Sequence, residues 1–490
     1  MMNRSAARSA TGIAGLDDIL HGGLIRNRLY LVEGPPGSGK TTLALQFLLH
    51  GREAGERCLY LTLSETKEEL SDGAASHGWS LDQLDVVELA AEESFLNAEN
   101  ELTMFNPSEV ELSETTKTVL DAVERIRPTR VAFDSLSEMR LLAQSSLRYR
   151  RQILALKQFF IGRECTVLLL DDGTSEGPDQ QLQSIAHGVV SLEQLAPGYG
   201  CERRRLRVAK FRGANFRGGY HDFTIRRGGL AVFPRLISAE HRKDFEQTPV
   251  RSGVAAVDTL LGGGLDRGTS TLFLGPAGSG KSMLATQYAV TATKRGEHAV
   301  IFAFAERART LVKRSQALGL DFTEGTGPGA LSLRQIDPTE LSPGEFAHLV
   351  RHEVEEQAAR VVVIDSLNGY LNAMPEERFL TAQLHELLAY LGDQGVCTIM
   401  VVAQHGVIGS GMPSPIDTSY LADAVVLFRY YEDNGSVKRA ISVIKKRSGP
   451  HETTIREFMT GPGGIHVSEP LSEYRGVLSG LPVVDPRAAE

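Results

Sequence analysis

Residues 11–51 read TGIAGLDDILHGGLIRNRLYLVEGPPGSGKTTLALQFLLHG, an apolar run, a glycine-rich loop and a helix-forming stretch in direct succession. Residues 252–292 repeat that order as SGVAAVDTLLGGGLDRGTSTLFLGPAGSGKSMLATQYAVTA. The lysines of the two GSGK segments, Lys40 and Lys281, stand 241 residues apart (281 − 40). Glu65 in LYLTLSE and Glu306 in VIFAFAE keep that spacing (306 − 65). Asp134 in VAFDSL and Asp365 in VVIDSL are 231 apart (365 − 134), so the first copy carries ten extra residues, placed near Glu92–Phe105. Lys210 with Lys445, and Arg212 with Arg447, share one spacing of 235 (445 − 210). Solenoid units run to about 20–45 residues, so a repeat of this length is a duplicated domain.

Within each copy, short apolar runs alternate with amphipathic stretches: LYLV then TTLALQFLLHG, CLYLTL then KEELSDGAASHG, then VAF and TVLLLD. Strands covered on both faces by helices read as continuous apolar runs. The pattern predicts an α/β fold, built twice, each copy a mostly parallel sheet flanked by helices. Chain ends such as KFRGANFRGGYHDFTIRRGGLAVF predict antiparallel strands at the sheet edge. The expected boundaries are a tail at 1–10, a first domain at 11–235, a polar linker at 236–250, a second domain at 251–480 and a short tail at 481–490.

The chain of 490 residues is too long for one core, and its 42% hydrophobic and 23% charged residues are ordinary for globular domains. A net charge of −9 supplies no general attraction for nucleic acid. Cys58, Cys165, Cys201 and Cys397 form no CxxC pair, and three lie in or beside apolar runs. Buried, reduced thiols in a reducing compartment are expected. The N-terminus has no apolar signal region, and no apolar stretch is long enough to span a bilayer. A cytoplasmic protein without membrane attachment is therefore the expectation.

Gly34-Pro-Pro-Gly-Ser-Gly-Lys-Thr41 and Gly275-Pro-Ala-Gly-Ser-Gly-Lys-Ser282 both satisfy GxxxxGK[ST], between a strand and a helix as the motif requires. Glycines let backbone N–H groups converge on phosphate oxygens, and the helix N-terminus adds partial positive charge. The expected phosphate cradles are Gly34, Gly37, Ser38, Gly39, Lys40, Thr41 and Thr42, then Gly275, Gly278, Ser279, Gly280, Lys281, Ser282 and Met283. Lys40 and Lys281 reach the β- and γ-phosphates of ATP, and Thr41 and Ser282 offer a hydroxyl to Mg²⁺. Asp134 and Asp365, each ending an apolar strand, are the expected magnesium-shell acids; an acid before Ser-Leu can alternatively cap a helix.

Glu65 and Glu306 end the strand after the P-loop helix, a position that in RecA-like folds faces the γ-phosphate. A base there can orient or deprotonate the attacking water, worth roughly 10²–10⁴-fold; a solvated surface glutamate is the alternative. Lys210 with Arg212, and Lys445 with Arg447, are strand-spaced cations sharing one face, either transition-state stabilisers or plain surface charge.

With these residues in place, the sequence resembles the KaiC family of tandem RecA-like ATPases, from Thr11 to about Pro482. The resemblance rests on TGIAGLDDIL–HGGL, both P-loops, FDSL and IDSL, and RAISVIKKRSGPHETTIREF. It implies a homohexameric double ring with ATP between subunits. Lys210/Arg212 and Lys445/Arg447 match the family residues that reach the neighbour's γ-phosphate. Members that act in clocks have two adjacent glutamates where this chain has Ser64-Glu65 and Ala305-Glu306. They also autophosphorylate a Ser-Thr pair, which aligns with Ser419 and Tyr420; Asp417-Thr418-Ser419 also reads as a helix cap, and the first copy carries Ser184 nearby. The sequence stops at SGLPVVDPRAAE, short of the tail that docks an activator in those members. The resemblance is to a non-clock relative with a signalling role.

The leading expectation is a slow hexameric ATPase acting as a switch whose state a protein partner reads, with Ser419 as an autokinase site. A DNA-handling ATPase is the first alternative. Its pore loops would need basic charge, yet GVIGSGMPSPIDTS has no Lys or Arg and DDGTSEGPDQQLQ is acidic. A nucleotide-binding scaffold with a silent ring is the second.

Overall fold

The computed structural model describes residues 7–89, 107–173, 180–196, 200–304, 306–372, 380–404, 420–479 and 483–484. The expected insertion near Glu92–Phe105 and Ser419 lie outside them, as does Ala305. The chain divides into two units, residues 1–235 and 236–490.

In the first unit, β1 (Arg8–Ser9) and β2 (Leu24–Ile25) form a short antiparallel pair. The main strands follow as β3 (Leu29–Glu33), β4 (Cys58–Thr62), β5 (Asp85–Glu88), β6 (Arg130–Asp134), β7 (Thr166–Asp171), β8 (Gly188–Leu195), β9 (Arg203–Phe211), β10 (His221–Arg226) and β11 (Gly229–Phe233). They line up as β11-β10-β9-β8-β3-β7-β6-β4-β5, parallel from β8 through β5 and antiparallel from β8 out to β11. The helices are α1 (Ala14–Ile19), α2 (Lys40–Glu53), α3 (Lys67–Ser76), α4 (Pro107–Ile126), α5 (Leu136–Ala143), α6 (Ser146–Gly162) and α7 (Gln180–Ile185).

Every residue of β4, β6 and β7 is buried, which is why CLYLT, RVAFD and TVLLLD carry no polar alternation. Side chains on one face of this sheet pack with α2, as Tyr30, Tyr60 and Leu168 do with Phe47 and Leu48. Those on the other face pack with α4 to α6, as Leu31, Leu61 and Phe133 do with Val123, Ile153 and Phe160. Local signals agree with the helix starts: Thr66 and Glu69 form a reciprocal capping box on α3, and Ser145 caps α6.

The second unit repeats the plan with β12 (Ser270–Gly275), β13 (His298–Ala303), β14 (Leu331–Gln335), β15 (Ala359–Asp365), β16 (Cys397–Ala403), β17 (Ala424–Asp433), β18 (Ser436–Lys446), β19 (Ile455–Gly461) and β20 (Gly464–Pro470). Their order, β14-β13-β15-β16-β12-β17-β18-β19-β20, is the first sheet read from its other edge. A final short pair is β21 (Tyr474–Arg475) with β22 (Val483–Val484). Its helices are α8 (Ala255–Leu260), α9 (Lys281–Lys294), α10 (Ala308–Ala317), α11 (Pro343–Glu355), α12 (Leu367–Asn372) and α13 (Leu380–Asp393). The two tandem domains thus have the mostly parallel, helix-flanked sheets that the apolar runs predict, in the RecA-like architecture that the resemblance implies.

Residues 236–250, read from their polarity as a linker, pack on the second unit. Leu236 is buried in its core, and a Cβ on Gly268 or Gly395 would meet the Phe245 ring at 2.5 or 2.3 Å. No helix among the described residues is long and apolar enough to cross a membrane. Burial pushes the thiols of Cys58 and Cys397 up to about 12 and that of Cys165 up to about 11, so they are inert packing groups.

Candidate functional site

Each P-loop links the central strand of its sheet to the following helix: β3 to α2, and β12 to α9. Gly39 and Gly280 are the residues before these helices, with φ of 99° and 103°. A side chain there would be strained, and its Cβ would meet Ile225 at 2.6 Å or Phe458 at 2.3 Å. Gly34 and Gly275 are pinned from the neighbouring strand, where a Cβ would meet the carbonyl oxygen of Leu192 at 2.6 Å or of Phe428 at 2.4 Å. Gly37 and Gly278 also take left-handed φ. The loops therefore present bare backbone at the N-terminus of a helix, as an anion cradle requires.

Lys40 and Lys281 are buried at the first position of those helices. Lys40 Nζ donates to the carbonyls of Gly34 at 2.8 Å and Pro35 at 3.0 Å. Lys281 Nζ donates to Gly275 at 2.8 Å and Pro276 at 2.5 Å. Burial depresses the Lys281 ammonium to about 8, with the charge of Asp365 opposing. Ser38 Oγ is buried and unpartnered, whereas Ser279 Oγ donates to the Pro276 carbonyl at 2.8 Å. Thr42 is half-buried, and Met283 packs its side chain into the hydrophobic core.

Asp134 and Asp365 close the same sites. Thr41 Oγ1 donates to Asp134 Oδ2 at 3.1 Å, bringing the P-loop hydroxyl and the β6 acid together across 93 residues of chain. Burial raises both carboxyls above the usual range; hydrogen bonds from Tyr60 and Thr41 pull Asp134 back, and the Ser282 hydroxyl does so for Asp365. Ser135 takes the N-cap position of α5, so Asp134 does not cap that helix.

One hydroxyl and one carboxylate per site fit Mg²⁺, which takes few protein ligands and fills its shell with phosphate oxygens and water. No cluster of three or more His, Cys, Asp or Glu side chains among the described residues offers a fuller metal cage.

Glu65 lies in the loop after β4, held by its backbone N–H donating to Thr62 Oγ1 at 3.0 Å. The protein packed beside its carboxyl raises it first, and the charge of Asp134 raises it further. Glu306 is likewise raised by burial, but Arg314 Nη1 sits 2.8 Å from its Oε2. Lys210 and Arg212 turn toward the end of α7, donating to Ser184 O at 3.3 and 3.0 Å. Lys445 donates to Ala422 O at 2.7 Å and Arg447 to Tyr420 O at 3.1 Å. These four cations occupy equivalent places in the two repeats.

The motifs do not reveal three further groups. Tyr60, buried in β4, donates to Asp134 Oδ2 at 2.6 Å. Asp172 pairs with Lys40 at 2.9 Å, and Arg314 with Glu306. A hydroxyl inside the apolar run CLYLTL and a doubled acid at the end of TVLLLDD are the signals that would have found the first two.

A family model described as "ATPase: KaiC" matches residues 9–237 and again 250–472. Among curated relatives, the circadian clock oscillator protein KaiC of Synechococcus elongatus is 27% identical over 488 residues, covering 98% of this chain and 92% of the relative. Its namesake from Picosynechococcus sp. is 27% identical over 480 residues, covering 96% and 92%. The circadian clock protein KaiC3 of Synechocystis sp. is 25% identical over 480 residues, covering 96% and 94%.

Proposed function

The chain belongs to the KaiC family of ATPases, and from that membership we propose that it binds ATP with Mg²⁺ at both P-loops and hydrolyses it. The observation that carries this reading is the meeting of Thr41 with Asp134 at 3.1 Å beside a glycine-built anion cradle, a pairing matched by Ser282 and Asp365. Lys40 and Lys281 would turn from the loop carbonyls to the β- and γ-phosphates, and Thr41 and Ser282 with Asp134 and Asp365 would hold the metal shell. Mg²⁺, when bound, supplies positive charge across the β- and γ-phosphate oxygens. Glu65 and Glu306 would take the proton of the attacking water as its oxygen bonds to the γ-phosphorus and the bond to the β–γ bridging oxygen breaks.

Each site is completed by a neighbour in a ring of identical subunits, which the family resemblance gives as a hexamer. Lys210/Arg212 and Lys445/Arg447 supply cations to the adjacent subunit's γ-phosphate. Their bonds to Ser184, Ala422 and Tyr420 carbonyls, at one equivalent corner of each domain, support a shared role. The nucleotide state would set subunit packing, and a protein partner would read it. Autokinase activity at Ser419 rests on the alignment alone, and phosphopeptide mass spectrometry after incubation with ATP and Mg²⁺ tests it.

ATP turnover of Lys40→Ala and Lys281→Ala, measured separately, tests the enzyme reading. Each variant should lose the contribution of one domain; full activity in both would refute it.

A further inference from the structure

The two repeats differ in what surrounds the P-loop lysine. Register across the sheets makes Asp172 of the first domain the counterpart of Ala403 in the second: Leu29 pairs with Val167, as Ser270 pairs with Thr398. The helices after β6 and β15 confirm it, because the Asp172 N–H donates to Ser137 Oγ of α5 and the Ala403 N–H donates to Asn368 Oδ1 of α12. Asp172 Oδ1 lies 2.9 Å from Lys40 Nζ. Lys281 has only the carbonyls of Gly275 and Pro276 and the Ser279 hydroxyl, with no carboxylate at ion-pair distance among the described residues.

The acid is firmly mounted. Ser137 Oγ also donates to Asp171 Oδ1 at 3.1 Å, Arg140 pairs with the Asp171 carboxylate at 3.1 Å, and the Asp171 carbonyl accepts from the Gly34 N–H at 3.2 Å. Asp172 thus comes from a strand end locked to the P-loop itself. Its charge also reaches Asp134.

A P-loop lysine serves the β- and γ-phosphates together. A carboxylate already on that lysine competes with the γ-phosphate for the same cation and repels its charge. A diphosphate engages the lysine through the β-phosphate alone and leaves the carboxylate a place beside it. We infer that Asp172 biases the first domain toward nucleoside diphosphate over triphosphate, a selectivity that the second domain, with Ala403, lacks. This rests on the reading that Gly34–Thr41 binds nucleotide. The consequence is that occupancy of the first domain by diphosphate exceeds that of the second at any one ratio of ATP to ADP.

The test uses the full chain carrying Lys281→Ala, so that only the first domain binds. Dissociation constants are measured with Mg²⁺ for ADP and for the non-hydrolysable β,γ-imido analogue of ATP, with and without Asp172→Asn. The variant should bind the analogue up to about fivefold more tightly, the effect of one removed like charge at a partly exposed site, with ADP nearly unchanged. The converse Ala403→Asp in a Lys40→Ala chain should weaken the analogue relative to ADP, and it covers the case in which Asp172→Asn fails to fold. An unchanged ratio in both variants, or weaker analogue binding by Asp172→Asn, overturns the inference while leaving the nucleotide sites intact. Failure of the Lys281→Ala chain to bind either nucleotide overturns the nucleotide reading, and this inference with it.

Discussion

Arg314 Nη1 lies 2.8 Å from Glu306 Oε2, whereas its counterpart in the first repeat is Gly73, and Glu65 has no ion pair among the described residues. The two candidate bases therefore differ in readiness. Burial raises both carboxyls, but only Glu306 has a cation pulling it back.

Replacing Arg314 should move the acid limb of second-domain turnover. A base acts deprotonated, so activity is lost as pH falls through its pKa. Arg314→Gln removes the group that lowers Glu306, and the limb should shift to higher pH. The pair is a quarter to a third exposed, so solvent screening keeps the shift modest. Rate–pH profiles in a Lys40→Ala chain read this out; an unmoved limb would separate Glu306 from the chemistry.

Tyr60→Phe should destabilise the first domain. It strips a 2.6 Å hydrogen bond from a buried carboxylate, a loss of about 1.5–3 kcal/mol for a charged acceptor. The second repeat has Ile301 at this position and manages without the hydroxyl. Denaturant unfolding should show a lower midpoint for the first domain alone. A first-domain midpoint equal to wild type would mean that the bond contributes nothing.

The order of elements was legible because strands covered on both faces lose polar alternation, and the P-loops because their glycines answer a backbone demand. Thr41 and Asp134 were legible as separate motifs, although nothing in their spacing placed them 3.1 Å apart. Tyr60 and Asp172 were not, since each acts through a partner distant in sequence that only the sheet register brings near, and Arg314 was not, because a helical arginine eight residues past Glu306 has no motif to mark it. The stretch 236–250 was misleading in its polarity, because Leu236 and Phe245 anchor it to the second unit while its charged residues face outward.

Triphosphate binding by the second domain should weaken in alkaline solution. Lys281 is held at about 8 in the free site, and phosphate beside it would favour the charged form. Binding then takes up a proton above that pH. In a Lys40→Ala chain, the dissociation constant should be flat below about pH 7 and rise toward tenfold per unit above 8. A flat curve to pH 9.5 would mean that the lysine does not contact phosphate.

Arg212→Ala and Arg447→Ala should each silence hydrolysis in their own ring and spare binding. A finger given in trans is worth about 10³–10⁵ in rate. Mixing Arg212→Ala with Lys40→Ala under subunit exchange should restore first-ring turnover, because some interfaces then combine an intact P-loop with an intact arginine. No recovery across mixing ratios would place the arginine in its own subunit's site.

On this reading one duplicated domain supplies two separate triphosphate sites. Counting bound β,γ-imido analogue per chain at saturation, by equilibrium dialysis with Mg²⁺, tests it most directly. Two should bind per wild-type chain, one in each of Lys40→Ala and Lys281→Ala, and none in the double variant. A wild-type count of one, or two retained in either single variant, would contradict it.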